Sequence, residues 1–167
     1  KKVHIVTYTH WDREFRWEFE RTRMRLVDLF DHLFEIMEEK PDYRSFLCDG
    51  QFTLLEDYLE IRPEMKDTVK KYVEDGRLEI GPWFSLPDCA PIQGESVVRN
   101  LQYGIKKSRE FGEPLKCGYN VFSFGQIGQL PQIYQNFDID TAIFYKYMDP
   151  EKSKYHEFIW ESPDESK

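Results

Sequence analysis

Along residues 26–37 the chain repeats apolar positions at the 3.6-residue helical period, with Leu26, Leu29, Phe30, Leu33, Phe34 and Met37 on one face. That spacing predicts an amphipathic helix from about Arg21 to Glu39. Before it, "KVHIVTYT" (Lys2 to Thr9) is rich in Val, Ile and Thr and predicts a strand. After it, "YRSFLCDG" predicts a second, short strand. Residues Phe52 to Asp75 form a long helical stretch, broken in two by Pro63 and closed by Gly76. "RLEIGPWFS" predicts a third strand, and "GESVVRNLQYGIKKSREFG" a helix with Glu95 and Ser96 at its start and Gly112 at its end. "KCGYNVFSFG", "QIGQLPQIYQNF" and "TAIFYKY" predict strand, helix and strand, and "HEFIWES" predicts an extra terminal strand.

Strand and helix alternate throughout, the pattern of βαβ crossovers and a parallel sheet. The fold class expected is therefore α/β. No repeat of fixed period, low-complexity tract or linker interrupts it. In such folds function gathers where strands end at their C-terminal side. The segments to inspect are Thr9 to Phe15, Cys48 to Gln51, Trp83 to Asp88, Asn120 to Gly125 and Tyr145 to Tyr147.

Bulk properties narrow the partners. The 167 residues suffice for one domain or a large piece of one, and 40% hydrophobic content is ordinary for a globular chain. A net charge of −8, with basic residues mixed among acids, argues against a nucleic-acid partner. No apolar run approaches the ~18 residues of a membrane span, so no membrane association is expected. Cys48, Cys89 and Cys117 form no CxxC pair and read as buried thiols of a reducing, cytoplasmic compartment. No signal peptide is visible. The chain opens on Lys1 and almost directly on a strand, which reads as a trimmed fragment.

The first predicted strand ends in "THWDREF". His10 and Asp12 alternate in an extended segment, so both side chains face one way. An imidazole beside a carboxylate suits zinc; the simpler arrangement is a hydrogen bond between the two, or a cap on the following turn. Asp49 and Gln51 in "CDGQ" either line a site or form an Asp-Gly turn. Three further histidines are scattered: His4 reads as core, His32 and His156 as surface. No phosphate-binding loop, nucleophile elbow, dinucleotide fingerprint or Cys–His pair is present.

"VHIVTYTHWDREF" resembles the opening signature of glycoside hydrolase family 38, the α-mannosidases. The likeness continues, in order, through "DGQFTLLEDYLEIRPE", "GRLEIGPWFSLPD", "GESVVRNL", "FGQIGQLPQI" and "IDTAIFYK". The resemblance implies a seven-stranded parallel (β/α) barrel, here incomplete with about five strands plus the extra terminal one. Residues 1–167 would then be the N-terminal barrel domain of a longer protein, with C-terminal domains of the same chain as partners. It also implies a retaining, zinc-dependent hydrolase acting on terminal α-mannosyl groups of an oligosaccharide or glycan. Carried over residue by residue, His10 and Asp12 match two zinc ligands. Asp88 matches an acidic position that supports the site or faces substrate, unless it is only the turn residue after Pro87. The family's remaining histidine ligand and its acid/base residue are expected outside this chain.

The departures gather at the same site. Phe122 stands where the family carries the Asp that is both nucleophile and zinc ligand, and a phenyl ring can be neither. Phe15 replaces the Trp expected to stack on the sugar, a milder change because any aromatic face stacks. Tyr8 replaces a His, and Lys146 replaces an Arg, keeping the charge without the bidentate fork. Three readings follow: an α-mannosidase homologue with a degenerate centre retained for carbohydrate binding, an active enzyme with a displaced nucleophile, or a metal-dependent polysaccharide deacetylase-like barrel. The last would want an HxxxH histidine cluster, and none is found.

Overall fold

The computed structural model describes residues 2–121, 124–144, 146, 151 and 153–167. Phe122, Ser123, Tyr145 and Tyr147, which fall in the segments named above, lie outside the described residues. The described elements alternate as the sequence pattern requires. They are β1 (Thr7–Tyr8), α1 (Phe19–Glu39), β2 (Phe46–Leu47), α2 (Thr53–Ile61), a 3-10 turn (Pro63–Met65), α3 (Lys66–Glu74), β3 (Leu78–Glu79), α4 (Gly94–Ser108), β4 (Gly118–Tyr119), α5 (Leu130–Gln135) and β5 (Ala142–Ile143).

All strand pairs are parallel, and the strands form a three-stranded sheet, β1-β2-β3, and a two-stranded sheet, β4-β5. The five described strands do not close on themselves as a barrel. They are also far shorter than the apolar runs predict. Of "KVHIVTYT" only Thr7 and Tyr8 pair, because β1 is an outer strand with β2 alone beside it, and Val3, Ile5 and Val6 stay exposed. The expected terminal strand over "HEFIWES" is not formed. That segment docks by side chains instead: Phe144 meets the rings of Phe158 and Trp160, while Ser162 Oγ accepts from Gln132 N at 3.0 Å and donates to Gly128 O at 2.9 Å.

Helix α1 buries the predicted stripe, Leu26, Phe30, Leu33, Phe34 and Met37, although Leu29 remains only partly covered. The stripe packs on α2, α3 and the first sheet; each such side chain contributes about 1.5–3 kcal/mol on burial. The C-terminal carbonyls of α1 would be left without partners, and Arg77 from the start of β3 supplies them. Its guanidinium donates to Met37 O at 2.9 Å, Lys40 O at 3.1 Å and Tyr43 O at 2.9 Å. A second core forms where α4 and α5 meet Trp83. Gly104 makes that approach possible, since a Cβ there would lie 2.2 Å from the backbone of Trp83 and Phe84.

The two sheets are joined beyond their ladders. Leu115 N donates to Ile80 O at 2.9 Å, and Trp83 Nε1 donates to Tyr119 O at 2.9 Å. Gln51 and Trp83 extend the pairing past the ends of β2 and β3 as a parallel bridge. The C-terminal ends of all five strands are thereby held on one side of the chain.

Candidate functional site

A cavity of about 520 Å³ opens at those strand ends, and every strand contributes to its wall. His10, Asp12 and Phe15 come from the loop after β1, Gln51 from the end of β2, and Asp88 from the segment after β3. Phe124 follows β4 and Lys146 follows β5. The sequence-predicted residues His10, Asp12, Phe15, Asp88 and Lys146 thus meet at one cavity. Tyr8 does not line it; the ring is half exposed on the outer strand. Phe122 lies outside the described residues. A larger groove, about 950 Å³, shares His10, Asp12 and Phe15, but its far wall is α1 with Arg25, Asp28 and His32.

The loop after β1 is held from below. His10 Nε2 lies 3.2 Å from Asp12 Oδ1, and its Nδ1 lies 3.1 Å from Asp49 Oδ2. Asp49 is fully buried and sits at φ +48°, so the "CDGQ" segment is a turn and a support at once. Burial pushes the Asp49 carboxyl above the usual carboxylate range, against the pull of the Trp11 N–H, the His10 charge and the Gln51 amide. Gln51 Nε2 donates to Trp11 O at 3.1 Å, and its Oε1 accepts from Leu86 N at 3.1 Å, tying the loops after β1 and β3 together. Arg13 is anchored to the buried Asp57 of α2, a partner 44 residues away that no local motif announces.

The opposite wall includes Asp88, Phe124 and Lys146. Asp88 Oδ1 accepts from Phe124 N at 3.1 Å, so its carboxylate orders the segment after β4 while standing at the cavity. Lys146 Nζ lies 5.1 Å from the centre of the Phe124 ring. Asn120, which is buried, donates from Nδ2 to Gln126 Oε1 at 3.1 Å, and its backbone carbonyl accepts from Gln126 Nε2 at 3.1 Å. Phe15 is 73% exposed at the rim, with the Arg16 guanidinium over one face of its ring, 5.8 Å from the centre.

Zinc was expected, and the donor set tests it. His10 and Asp12 bring one nitrogen and one oxygen donor together, and Asp49 holds the other ring nitrogen, as ligating histidines are usually held. A stable zinc site wants at least three protein donors. Among the described residues no three His, Cys, Asp or Glu side chains gather to hold a metal, and residue 122 is a Phe, which has no donor atom. The described residues therefore supply two donors and do not form a zinc site by themselves. The three cysteines are free, and no helix among the described residues is long and apolar enough to cross a membrane.

Comparison with known proteins identifies the family. Residues 1–167 match the N-terminal domain of the glycosyl hydrolases of family 38. A Halalkalibacterium halodurans protein, provisionally named a mannosylglycerate hydrolase, is 43% identical over 99% of this chain and 20% of its own length. Alpha-mannosidase G of Dictyostelium discoideum is 27% identical over 99% of this chain and 15% of its own. Among solved structures, an alpha-mannosidase from Enterococcus faecalis superposes with a TM-score of 0.90 at 41% identity, covering 96% of this chain and 19% of that one. The chain thus spans about a fifth of the length of the relatives it matches.

Proposed function

The chain belongs to glycosyl hydrolase family 38, and from that premise we propose that the strand-end cavity binds terminal α-mannosyl groups in an α-mannosidase-type protein whose turnover is impaired. The observation that carries the proposal is the convergence on one cavity of His10, Asp12 and Phe15 from the loop after β1, Asp88 from the segment after β3 and Lys146 from beyond β5. A sugar presents an apolar ring face and a rim of hydroxyls. Phe15 offers the face a stacking partner, Asp12 and Asp88 accept from hydroxyls, and Lys146 donates.

Hydrolysis with retention needs a carboxylate at the anomeric carbon and a second acting as acid and base. Phe122 at the nucleophile position favours binding without efficient turnover. The family's zinc, where bound, would contact sugar hydroxyls and polarise them; His10 and Asp12 are the donors here, and the rest would come from residues outside this chain. The acid/base residue is proposed to lie there too, in further domains of the same protein.

The test is made on the protein that carries this chain. Isothermal titration should detect a methyl α-mannoside or mannosylglycerate, the latter taken from the name of the Halalkalibacterium relative, and His10→Ala should abolish that binding. A nitrophenyl α-mannoside should be turned over negligibly, and Phe122→Asp should raise the rate. Absence of any mannoside binding would reject the site; robust wild-type turnover, lost in His10→Ala, would reject the impaired centre.

A further inference from the structure

The groove of about 950 Å³ and the strand-end cavity share His10, Asp12 and Phe15 as a common wall. Two guanidinium groups line the groove, that of Arg16 from the loop after β1 and that of Arg25 from α1. Arg13, Arg23, Arg62 and Arg99 are each paired with a carboxylate. Arg16 and Arg25 instead lie over aromatic rings, 5.8 Å from the centre of Phe15 and 4.1 Å from that of Trp17, and neither forms an ion pair among the described residues. Asp28, about one turn on from Arg25 in α1, lines the same groove without pairing with it.

A guanidinium that rests on a ring keeps its N–H edge for an acceptor, and that edge matches the two oxygens of a carboxylate or phosphate. Trp17 also limits the freedom of Arg25, so less is lost when an oxyanion binds. We infer that the groove receives the group linked to the mannose, and that Arg25, with Arg16, selects mannosides whose linked group carries an oxyanion, a carboxylate or a phosphate. A neutral sugar in the groove would accept single hydrogen bonds, whereas an oxyanion accepts charge-assisted ones, which are about twice as strong. The inference rests on the functional reading above and narrows it from α-mannosides in general to acidic ones. Arg25 lines the groove and not the cavity, so its part is to read the linked group.

The experiment is isothermal titration on the protein that carries this chain, with three mannosides that share one sugar. α-Mannosylglycerate carries a carboxylate, α-mannosylglycerol replaces that carboxylate by a neutral hydroxymethyl, and α-mannosylglycerol phosphate carries the oxyanion as a phosphate. The better of the two acidic ligands should bind about tenfold tighter than the neutral one, or more, and which of them is better identifies the oxyanion. In the Arg16→Gln, Arg25→Gln double variant the ratio of acidic to neutral affinity should fall to about one. Arg25→Lys keeps the charge without the fork and should retain only part of the preference. Both side chains belong to exposed residues, so the variants should fold. Equal binding of the acidic and neutral mannosides by the wild type would overturn this inference and leave the functional reading standing, as would a preference that survives in the double variant. Binding of none of the three would reject the functional reading, and this inference with it.

Discussion

Arg13 grips the carboxylate of Asp57 with two parallel hydrogen bonds, Nε donating to Oδ2 at 3.0 Å and Nη2 to Oδ1 at 2.8 Å. The two partners are unequally placed, because the Arg13 side chain is 50% exposed and that of Asp57 is 2% exposed. Removing either one therefore has a different cost. Arg13→Ala strands a buried carboxylate, which should cost about 3 kcal/mol. Asp57→Asn leaves a guanidinium that water can reach, and should cost about 1–2 kcal/mol. Burial already holds the Asp57 carboxyl above its ordinary range, with Arg13 pulling it down. Without Arg13 it should protonate at higher pH, so the penalty of Arg13→Ala should shrink on acidification. Thermal unfolding of both variants across the acid range measures the order and the trend; equal costs at neutral pH would show that the unequal burial of the two partners does not set the cost.

Gly50 makes room for Tyr119. A Cβ at residue 50 would lie 2.2 Å from the Tyr119 ring, and the backbone sits at φ +66°. Gly50→Ala must displace the ring whose hydroxyl reaches Asp49, and also bear the left-handed strain. A loss of about 3 kcal/mol is expected. Gly76 provides the control: its φ is +68°, yet nothing lies within 4 Å of an added Cβ. Gly76→Ala should cost only about 1 kcal/mol. The melting temperatures of the two variants should differ accordingly.

Much of the scaffold is legible in the sequence, because helices announce themselves locally. The apolar period of α1, the break at Pro63 and the closing Gly76 all fall where short-range rules put them. Strands are less legible, since an apolar run pairs only as far as a neighbour accompanies it. Val3 and Ile5 have the composition of a strand and no ladder, and "HEFIWES" is fixed by the packing of Phe158 and Trp160 rather than by pairing. The cavity residues were findable from the rule that sites form at strand ends. Asp49 was a candidate too, but its buried role was not legible, because "DG" reads the same whether its carboxylate faces solvent or meets Trp11, Gln51, His10 and Tyr119. Arg13 and Asp57 carry no signal either, being joined by tertiary packing alone.

The thiols should differ in reactivity. Cys48 and Cys89 are buried, and burial pushes both up, Cys89 to about 11; Cys117 is partly covered and also raised. Alkylation of the native protein at pH 8 should mark Cys117 before the other two. Linkage gives a second expectation. The Cys89 thiol ionises near 9.0 when unfolded and near 11 when folded, so between those values the folded state holds the extra proton. Its contribution to stability is therefore full below about pH 9 and is lost as pH rises towards 11. Cys89→Ala should flatten that alkaline decline, which urea titrations at pH 8.5 and pH 10.5 would detect.

Asn100 fastens the segment that presents Asp88. From α4 its Oδ1 accepts from Phe84 N at 3.1 Å and Ser85 N at 3.0 Å, while its Nδ2 donates to Ser85 O at 2.6 Å. Phe84 N also has the Asn100 carbonyl at 3.2 Å, so Ser85 N is the group that depends on the side chain. Asn100→Ala deletes all three side-chain bonds, whereas Asn100→Asp keeps the two that its oxygen accepts and loses the one that it donates. Amide hydrogen exchange at Ser85 should therefore accelerate strongly in the alanine variant and only slightly in the aspartate one. If the segment also carries sugar-binding geometry to Asp88, mannoside affinity should weaken in the same order. Exchange that is equally slow in both variants would mean that packing of Leu86 on the second core, rather than Asn100, holds the segment in place.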